Sequence, residues 1–184
     1  MHGGLGFSPR GSRLAGAIAV LTGILAAAIC AGAASGSAAV TPSSQTGKTL
    51  TPTVTWDTAH DVSPPLRWSH IPPHTRTFAL RLDDPDAPGG TFTHWTAWNF
   101  DAGALALVAG AGERWRFEGT NSFGRVGYAG PCPPRGSTHR YVFRLYAFDA
   151  RLPLRRGAST GQFAAALRGH VVATARLVGL YRRP

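Results

Sequence analysis

The stretch from Asp83 to Trp95, "DDPDAPGGTFTHW", holds three of the nine acids of a chain whose formal net charge is +10. Carboxylates this close repel one another unless something holds them. Pro85 and Pro88 stiffen the segment and remove backbone donors, so Asp84 and Asp86 stand on a rigid corner. His94 follows where the pattern turns aromatic and strand-like. A second stretch, "GYAGPCPPRGSTHRYVF" from Gly127 to Phe143, repeats the plan: prolines, a glycine, then His139 where a strand begins. Two such loops can face each other across one sheet edge. Their combined chemistry is carboxylates, imidazoles, the Tyr141 phenol and turn N–H groups. A pure carboxylate cluster selects a hard cation. Imidazoles and loop N–H donors add the capacity to receive an anion, while carboxylates accept an ammonium or hold an imidazole protonated. The set therefore suits a small anionic or zwitterionic ligand. The plainer alternative is that Asp84 and Asp86 only cap their own turns.

Other chemistries have weaker support. Asp84 with His94 forms a candidate base pair for a hydrolase, and Cys132 with His139 a candidate thiol–imidazole pair. Against these, the chain has no G-x-S-x-G and no H-E-x-x-H, and proline-stiffened loop separates Cys132 from His139. Cys132 reads first as a small buried packing residue. No catalytic residue, metal or cofactor is assigned, and the chain reads as a non-enzyme. Of the 19 basic residues all but Lys48 are arginine. They form no basic run interleaved with aromatics, so nucleic acid is not an expected partner. The basic surface is compatible with a membrane surface or an acidic protein.

The elements that must position these groups are legible. Period-2 alternation puts Phe78, Leu80 and Leu82 on one face of "TFALRL", and Tyr141, Phe143, Leu145 and Ala147 on one face of "RYVFRLYAF". "HWTAWNF" (His94 to Phe100) is aromatic and strand-like. Ser159 with Gln162 makes a capping box ahead of a helix with Phe163, Ala166 and Leu167 on one face, ended by Gly169. "HVVATARLVGLY" reads as a strand. A mainly β, antiparallel domain with one or two peripheral helices follows. A sharp turn before Gly89–Gly90 points to a cis bond at Ala87–Pro88, since only X–Pro bonds adopt cis at modest cost.

Residues 1–39 read as a signal peptide or N-terminal anchor: Arg10 and Arg13, then an Ala-rich apolar run, then small-residue cleavage sites between about Ala33 and Val40. Export to the periplasm or the medium is expected, with a membrane-anchored form as the alternative and lipid attachment at Cys30 as a third option. Cleavage would leave Cys132 as the single cysteine. Residues 40–50 read as a flexible linker and 51–184 as the folded domain.

"SPPLRW" (Ser63 to Trp68), "DPDAP" (Asp84 to Pro88), His94, Trp95 and Asn99, "GPCPP" with "HRY" (Gly130 to Tyr141) and "GHVVATARLVGLYRR" (Gly169 to Arg183) together resemble the phosphatidylethanolamine-binding protein family, in its bacterial Raf kinase inhibitor-like branch. The resemblance implies a β-sandwich with a large central antiparallel sheet, a smaller sheet on one face and helices on the other. It implies a small pocket at one end of the large sheet for phosphoryl or head-group ligands, lined by Asp84, His94, Cys132, Pro133, Pro134, His139 and Tyr141. Asp86 and Pro88 brace it, and a backbone N–H at Cys132 meets the anion. The short loop between Pro88 and His94 implies an open wall. The function implied is that of an exported, non-catalytic binding protein. The alternatives are an interaction protein that inhibits a kinase or protease, and then a hydrolase.

Overall fold

A computed structural model of the chain describes residues 61–184. The leader, its cleavage region, Cys30 and the 40–50 linker lie outside the described residues. Within them the order is β1 (Leu66–Arg67), β2 (Thr77–Asp84), β3 (Phe92–Asp101), β4 (Ala106–Leu107), α1 (Ala111–Arg114), β5 (Thr138–Phe148), α2 (Thr160–Ala166) and β6 (Val171–Arg182). The large sheet runs β3-β2-β5-β6 and β1 pairs with β4 in a small one, all antiparallel. No helix among the described residues is long and apolar enough to cross a membrane.

Alternation decides the layers. Phe78, Leu80 and Leu82 of β2 face the same way as Tyr141, Phe143, Leu145 and Ala147 of β5, as their spacing predicts, and join Trp95, Phe100, Leu177 and Tyr181. The small sheet covers this face through Leu66, Trp68 and Leu107. The other face carries Ala79, Trp98 and Phe148, packed on Leu152, Ala158 and Phe163 of α2. Burying each large apolar side chain stabilises the fold by about 1.5–3 kcal/mol, so the two layers reinforce one strand order. The capping box on α2 is present in full: Ser159 Oγ accepts from the Gln162 N–H, and Gln162 Oε1 accepts from the Ser159 N–H. β1, β4 and α1 are too short for periodicity to reveal.

Two irregularities between β2 and β3 shape the sheet. One lies between Phe78 and Leu80, where β3 carries the extra residue; the other lies between Leu82 and Asp83, opposite Thr93 and Trp95. Asn99 sits in the first with φ 60°, a left-handed conformation that asparagine tolerates better than most side chains. Its amide closes a buried contact with a distant loop: Nδ2 donates to the Leu152 carbonyl at 3.0 Å and Oδ1 accepts from the Leu152 N–H at 2.8 Å.

The Ala87–Pro88 bond is not cis, for no cis peptide occurs among the described residues. The turn forms another way. The Gly90 N–H bonds the Ala87 carbonyl at 3.0 Å, which places Pro88 at the second turn position, where a trans proline already has the right φ. Gly90, at φ 100°, then takes the left-handed step.

Asn99→Ala is expected to lower stability by about 2–4 kcal/mol, from two lost buried hydrogen bonds and a side chain forced into left-handed backbone. Asn99→Gly relieves the second term and should lose less. Urea unfolding midpoints of the two variants check the order.

Candidate functional site

Asp84 ends β2 and His139 opens β5. In the β2–β5 register Asp83 lies opposite Val142, so Asp84 lies opposite Tyr141, and His139 is the diagonal neighbour on the same face. Diagonal pairs on one face are within reach of long side chains. His139 Nδ1 donates to Asp84 Oδ2 at 2.7 Å, with both side chains buried. The other carboxylate oxygen, Oδ1, accepts the Asp86 N–H at 2.9 Å. Asp84 thus does both things the sequence allowed: it caps its own turn and it orients a histidine from a segment 55 positions away.

His94 comes from the other side of β2. One residue of β3, His94, lies unpaired between Thr93 and Trp95, whose partners Asp83 and Leu82 are adjacent on β2. His94 is therefore the bulged residue. Bulges re-aim side chains, and this one lays the imidazole edge-on against the Tyr141 ring, centroids 5.3 Å apart. His94 Nδ1 donates to the Ala129 carbonyl at 2.9 Å, and the Ala129 N–H returns a bond to the His94 carbonyl. The ring's remaining nitrogen, Nε2, is then the one left for a ligand. Burial holds the His94 pKa below the usual imidazole range, against a smaller upward pull from the Ala129 carbonyl and the Asp84 carboxylate. Burial, followed by the Asp84 carboxylate, pushes the Tyr141 phenol well above its usual range, so it stays a neutral hydroxyl.

The pairing corrects one expectation. Asp84 hydrogen-bonds His139 and not His94, so the Asp84–His94 base pair does not form. The remaining residues divide. Asp86 braces the loop: it accepts from the Arg140 backbone N–H at 2.8 Å and from the Arg140 guanidinium, which holds its carboxyl down at about 2. Pro133 is buried near the cluster's loop, while Pro134 and Pro88 are exposed. Cys132 is half-buried and disulfide-bonded, its partner lying outside the described residues. Its partial exposure departs from the fully buried packing residue expected. Its backbone N–H faces the Tyr141 phenol.

Four supporting residues gave no signal in the sequence. Asn121 folds the loop that carries Ala129: Oδ1 accepts from the Phe123 and Arg125 N–H groups and Nδ2 donates to the Gly127 carbonyl. Phe92 and Phe123 stack edge to face beside His94, and Phe123 is 40% exposed. Glu118, at the root of this loop, is 2% exposed and accepts from the Trp95 indole N–H at 2.7 Å. A lone glutamate is ordinarily exposed and ionised. Burial instead raises its pKa to about 7, against the pull of the Trp95 donor and Arg156. Among the described residues no group of three or more His, Cys, Asp or Glu side chains is placed to hold a metal ion.

Glu118 gives a pH-dependent prediction. Its folded pKa lies above the unfolded one, so the folded state binds more protons between about 4.5 and 7. Stability from this group is therefore present at low pH and is lost as pH rises across that window. Glu118→Gln keeps an acceptor for Trp95 and never ionises. Its stability relative to wild type should improve by on the order of 1–3 kcal/mol from pH 5 to pH 8, read by chemical denaturation at both values.

Comparison with known proteins points one way. The family model described as phosphatidylethanolamine-binding protein matches residues 40–182. A UPF0098 protein of Methanothermobacter thermautotrophicus is 44% identical over 128 residues, covering 67% of this chain and 84% of that protein. A UPF0098 protein of Pyrococcus abyssi is 44% identical over 131 residues, covering 67% of this chain and 73% of that one. Among solved structures, Escherichia coli YbcL, titled a new member of the mammalian PEBP family, aligns with TM-score 0.63 and 31% identity over 81% of this chain and all (100%) of that one. A putative phosphatidylethanolamine-binding protein homologue from Chlamydia trachomatis aligns with TM-score 0.63 and 36% identity, covering 67% of this chain and 82% of that one.

Proposed function

Since the chain belongs to the phosphatidylethanolamine-binding protein family, we propose that it is an exported, non-catalytic binding protein whose ligand is a small phosphoryl-bearing molecule received at the Asp84–His139–His94–Tyr141 cluster. The observation that carries this reading is the pair of buried imidazoles, each tied at Nδ1 and each keeping Nε2 for another partner. Once protonated at Nε2, the two oriented rings beside a neutral phenol donate to an oxyanion, and hydrogen bonds to a charged acceptor are the stronger ones. Both Asp84 oxygens are engaged within the protein, which favours the phosphoryl end of a zwitterionic head group over its ammonium as the part held here. Binding without turnover is favoured for a related reason. His139 is oriented as a general base would be, yet the chain carries no G-x-S-x-G nucleophile motif for it to activate.

Export rests on the leader, with its basic residues, apolar run and small-residue cleavage sites. A kinase- or protease-inhibiting role and contact with a membrane surface remain subordinate readings.

Calorimetric titration of phosphate and O-phosphoethanolamine tests the proposal. His139→Ala should lose a charge-assisted hydrogen bond, about 1.5–3 kcal/mol or roughly ten- to a hundredfold in affinity. Asp84→Asn should weaken both ligands alike if Asp84 acts through His139, and O-phosphoethanolamine more if it meets the ammonium. No binding by wild type, or unchanged binding by both variants, would overturn the reading.

A second arm uses pH. With its folded pKa lowered, the neutral His94 is the form the fold stabilises above ~6.5, and that contribution is lost as pH falls through the lowered value. Protonation there supplies the charge an anion needs. Sulfate, whose charge is constant over this range, should bind more tightly as pH falls below about 6.5, with proton uptake detectable in buffers of different ionisation enthalpy. His94→Gln should flatten that dependence.

A further inference from the structure

The sheet face that meets α2 carries a row of arginines beside its apolar layer. Ala79 of β2 and Tyr146 of β5 pair in register under that layer. In the next row of the same face, toward the Asp84 end, Arg81 pairs with Arg144, and Arg144 pairs with Arg176 of β6. All three point away from the main core, because their strand neighbours Leu80, Leu82, Phe143, Leu145 and Leu177 point into it. Guanidiniums thus stand side by side on three adjacent strands whose backbones lie about 5 Å apart.

The first gap in the row is filled from within. Asp83 is 2% exposed. Its Oδ1 accepts from Arg81 Nε and its Oδ2 from Arg144 Nη1, each at 2.7 Å. One carboxylate therefore bridges two neighbouring arginines. The second gap has no such bridge. Arg176 is exposed and makes no ion pair or side-chain hydrogen bond among the described residues, and the Arg144 side chain reaches the same solvent at 37% exposure. Asp86, the next acid along this end, is held by Arg140. Like charges set directly opposite each other weaken an antiparallel pair. A charge on an edge strand does blunt unwanted strand pairing. Either sign serves that purpose, however, and a glutamate at position 176 would serve it while pairing with Arg144.

From the unbridged Arg144–Arg176 pair we infer an interaction surface on this face that takes an acidic segment of a partner protein, one carboxylate lying between the two guanidiniums as Asp83 lies between Arg81 and Arg144. Planar guanidinium forks match carboxylates in this way. The surface lies on the opposite sheet face from Tyr141 and does not rest on the function proposed for the imidazole cluster.

Capped tetraglutamate and tetraglutamine, which differ only in charge, are the probes, titrated into the ¹⁵N-labelled full chain at about 0.1 M salt, where charges more than about 10 Å apart are screened. The Arg176 Nε–H resonance is identified as the one lost in Arg176→Gln. It should shift saturably with tetraglutamate and stay still with tetraglutamine. Arg176→Gln should weaken tetraglutamate binding roughly two- to fivefold. Arg67→Gln removes the same charge from an exposed position on β1, over the other sheet face, and should leave binding unchanged. Arg176→Glu supplies the missing carboxylate from within, so it should abolish binding and raise the urea unfolding midpoint. Equal loss in Arg67→Gln and Arg176→Gln would reduce the effect to net charge and overturn the inference. So would an Arg176 resonance unmoved by tetraglutamate, or Arg176-dependent binding to phosphatidylglycerol vesicles without binding to tetraglutamate.

Discussion

The hydrogen bond between Asp84 and His139 is the contact on which the site's arrangement rests. It ties the end of β2 to the start of β5, and both groups are withdrawn from water. Such a pair is expensive to desolvate and leaves a costly orphan if one partner is removed, so the surrounding backbone must hold the geometry without slack. It does so through antiparallel pairing that continues from Thr77 opposite Phe148 to Asp83 opposite Val142 without a shift. A slip of one residue along that ladder would turn Asp84 to the opposite face from Tyr141 and His139. The apolar face below, with Leu80, Leu82, Phe143 and Leu145 buried, forbids the slip. The chemistry at the sheet's end is therefore fixed by the hydrophobic pattern along its length.

Against this regular seam, β3 departs where function needs it. A strand in perfect register would alternate its side chains rigidly, and an imidazole would have to replace a core residue to reach the Tyr141 ring. The bulge at His94 adds a residue and changes the aim. The second irregularity, at Asn99, lets β3 take up the extra residue near its far end, locked by the two hydrogen bonds to Leu152. The loop from Glu118 to Ala129 closes over His94 by the same logic of local compensation: Asn121 satisfies the loop's backbone groups, and Ala129 satisfies His94.

What the sequence made legible follows from the range of each signal. Strand faces were readable because alternation is local: Phe78, Leu80 and Leu82 could face only one way together. The α2 cap was readable because Ser159 and Gln162 lie within one helical turn. Convergence of Asp84, His139 and Tyr141 was readable from the paired proline-stiffened loops and from family resemblance. The partner of each imidazole was not, because the Ala129 carbonyl that ties His94 carries no side-chain signature. The Ala87–Pro88 expectation failed for a related reason. Proline at a sharp turn admits both isomers, and only the Gly90 N–H bond to Ala87 shows which turn position Pro88 occupies. Glu118 was invisible because burial of a single acid depends on what folds over it.

One sheet face carries a polar cluster at one end and a half-open cavity at the other, beside Trp68, Leu145 and Ala175, and the residues between them determine how the two relate. Asp84 and Tyr141 stand at one end; Phe78 and Ala147 reach the cavity at the other. The intervening rows are filled by Leu82 at 0% exposure, Leu80 at 1% and Phe143 at 1%. Interiors packed to this degree have no channel wide enough for a ligand, so the two ends are not halves of one long tunnel. A single amphiphile could not lie along this face with its head at His139 and its tail at Trp68 without displacing those side chains, at a cost of several large buried groups. Ala173 and Ala175 of the cavity wall lie on β6, which has no strand hydrogen-bonded beyond it among the described residues, whereas the polar cluster is built from the interior strands β2 and β5 with β3. Changes at Ala173 or Ala175 can thus alter the cavity without disturbing the register that fixes Asp84 against His139.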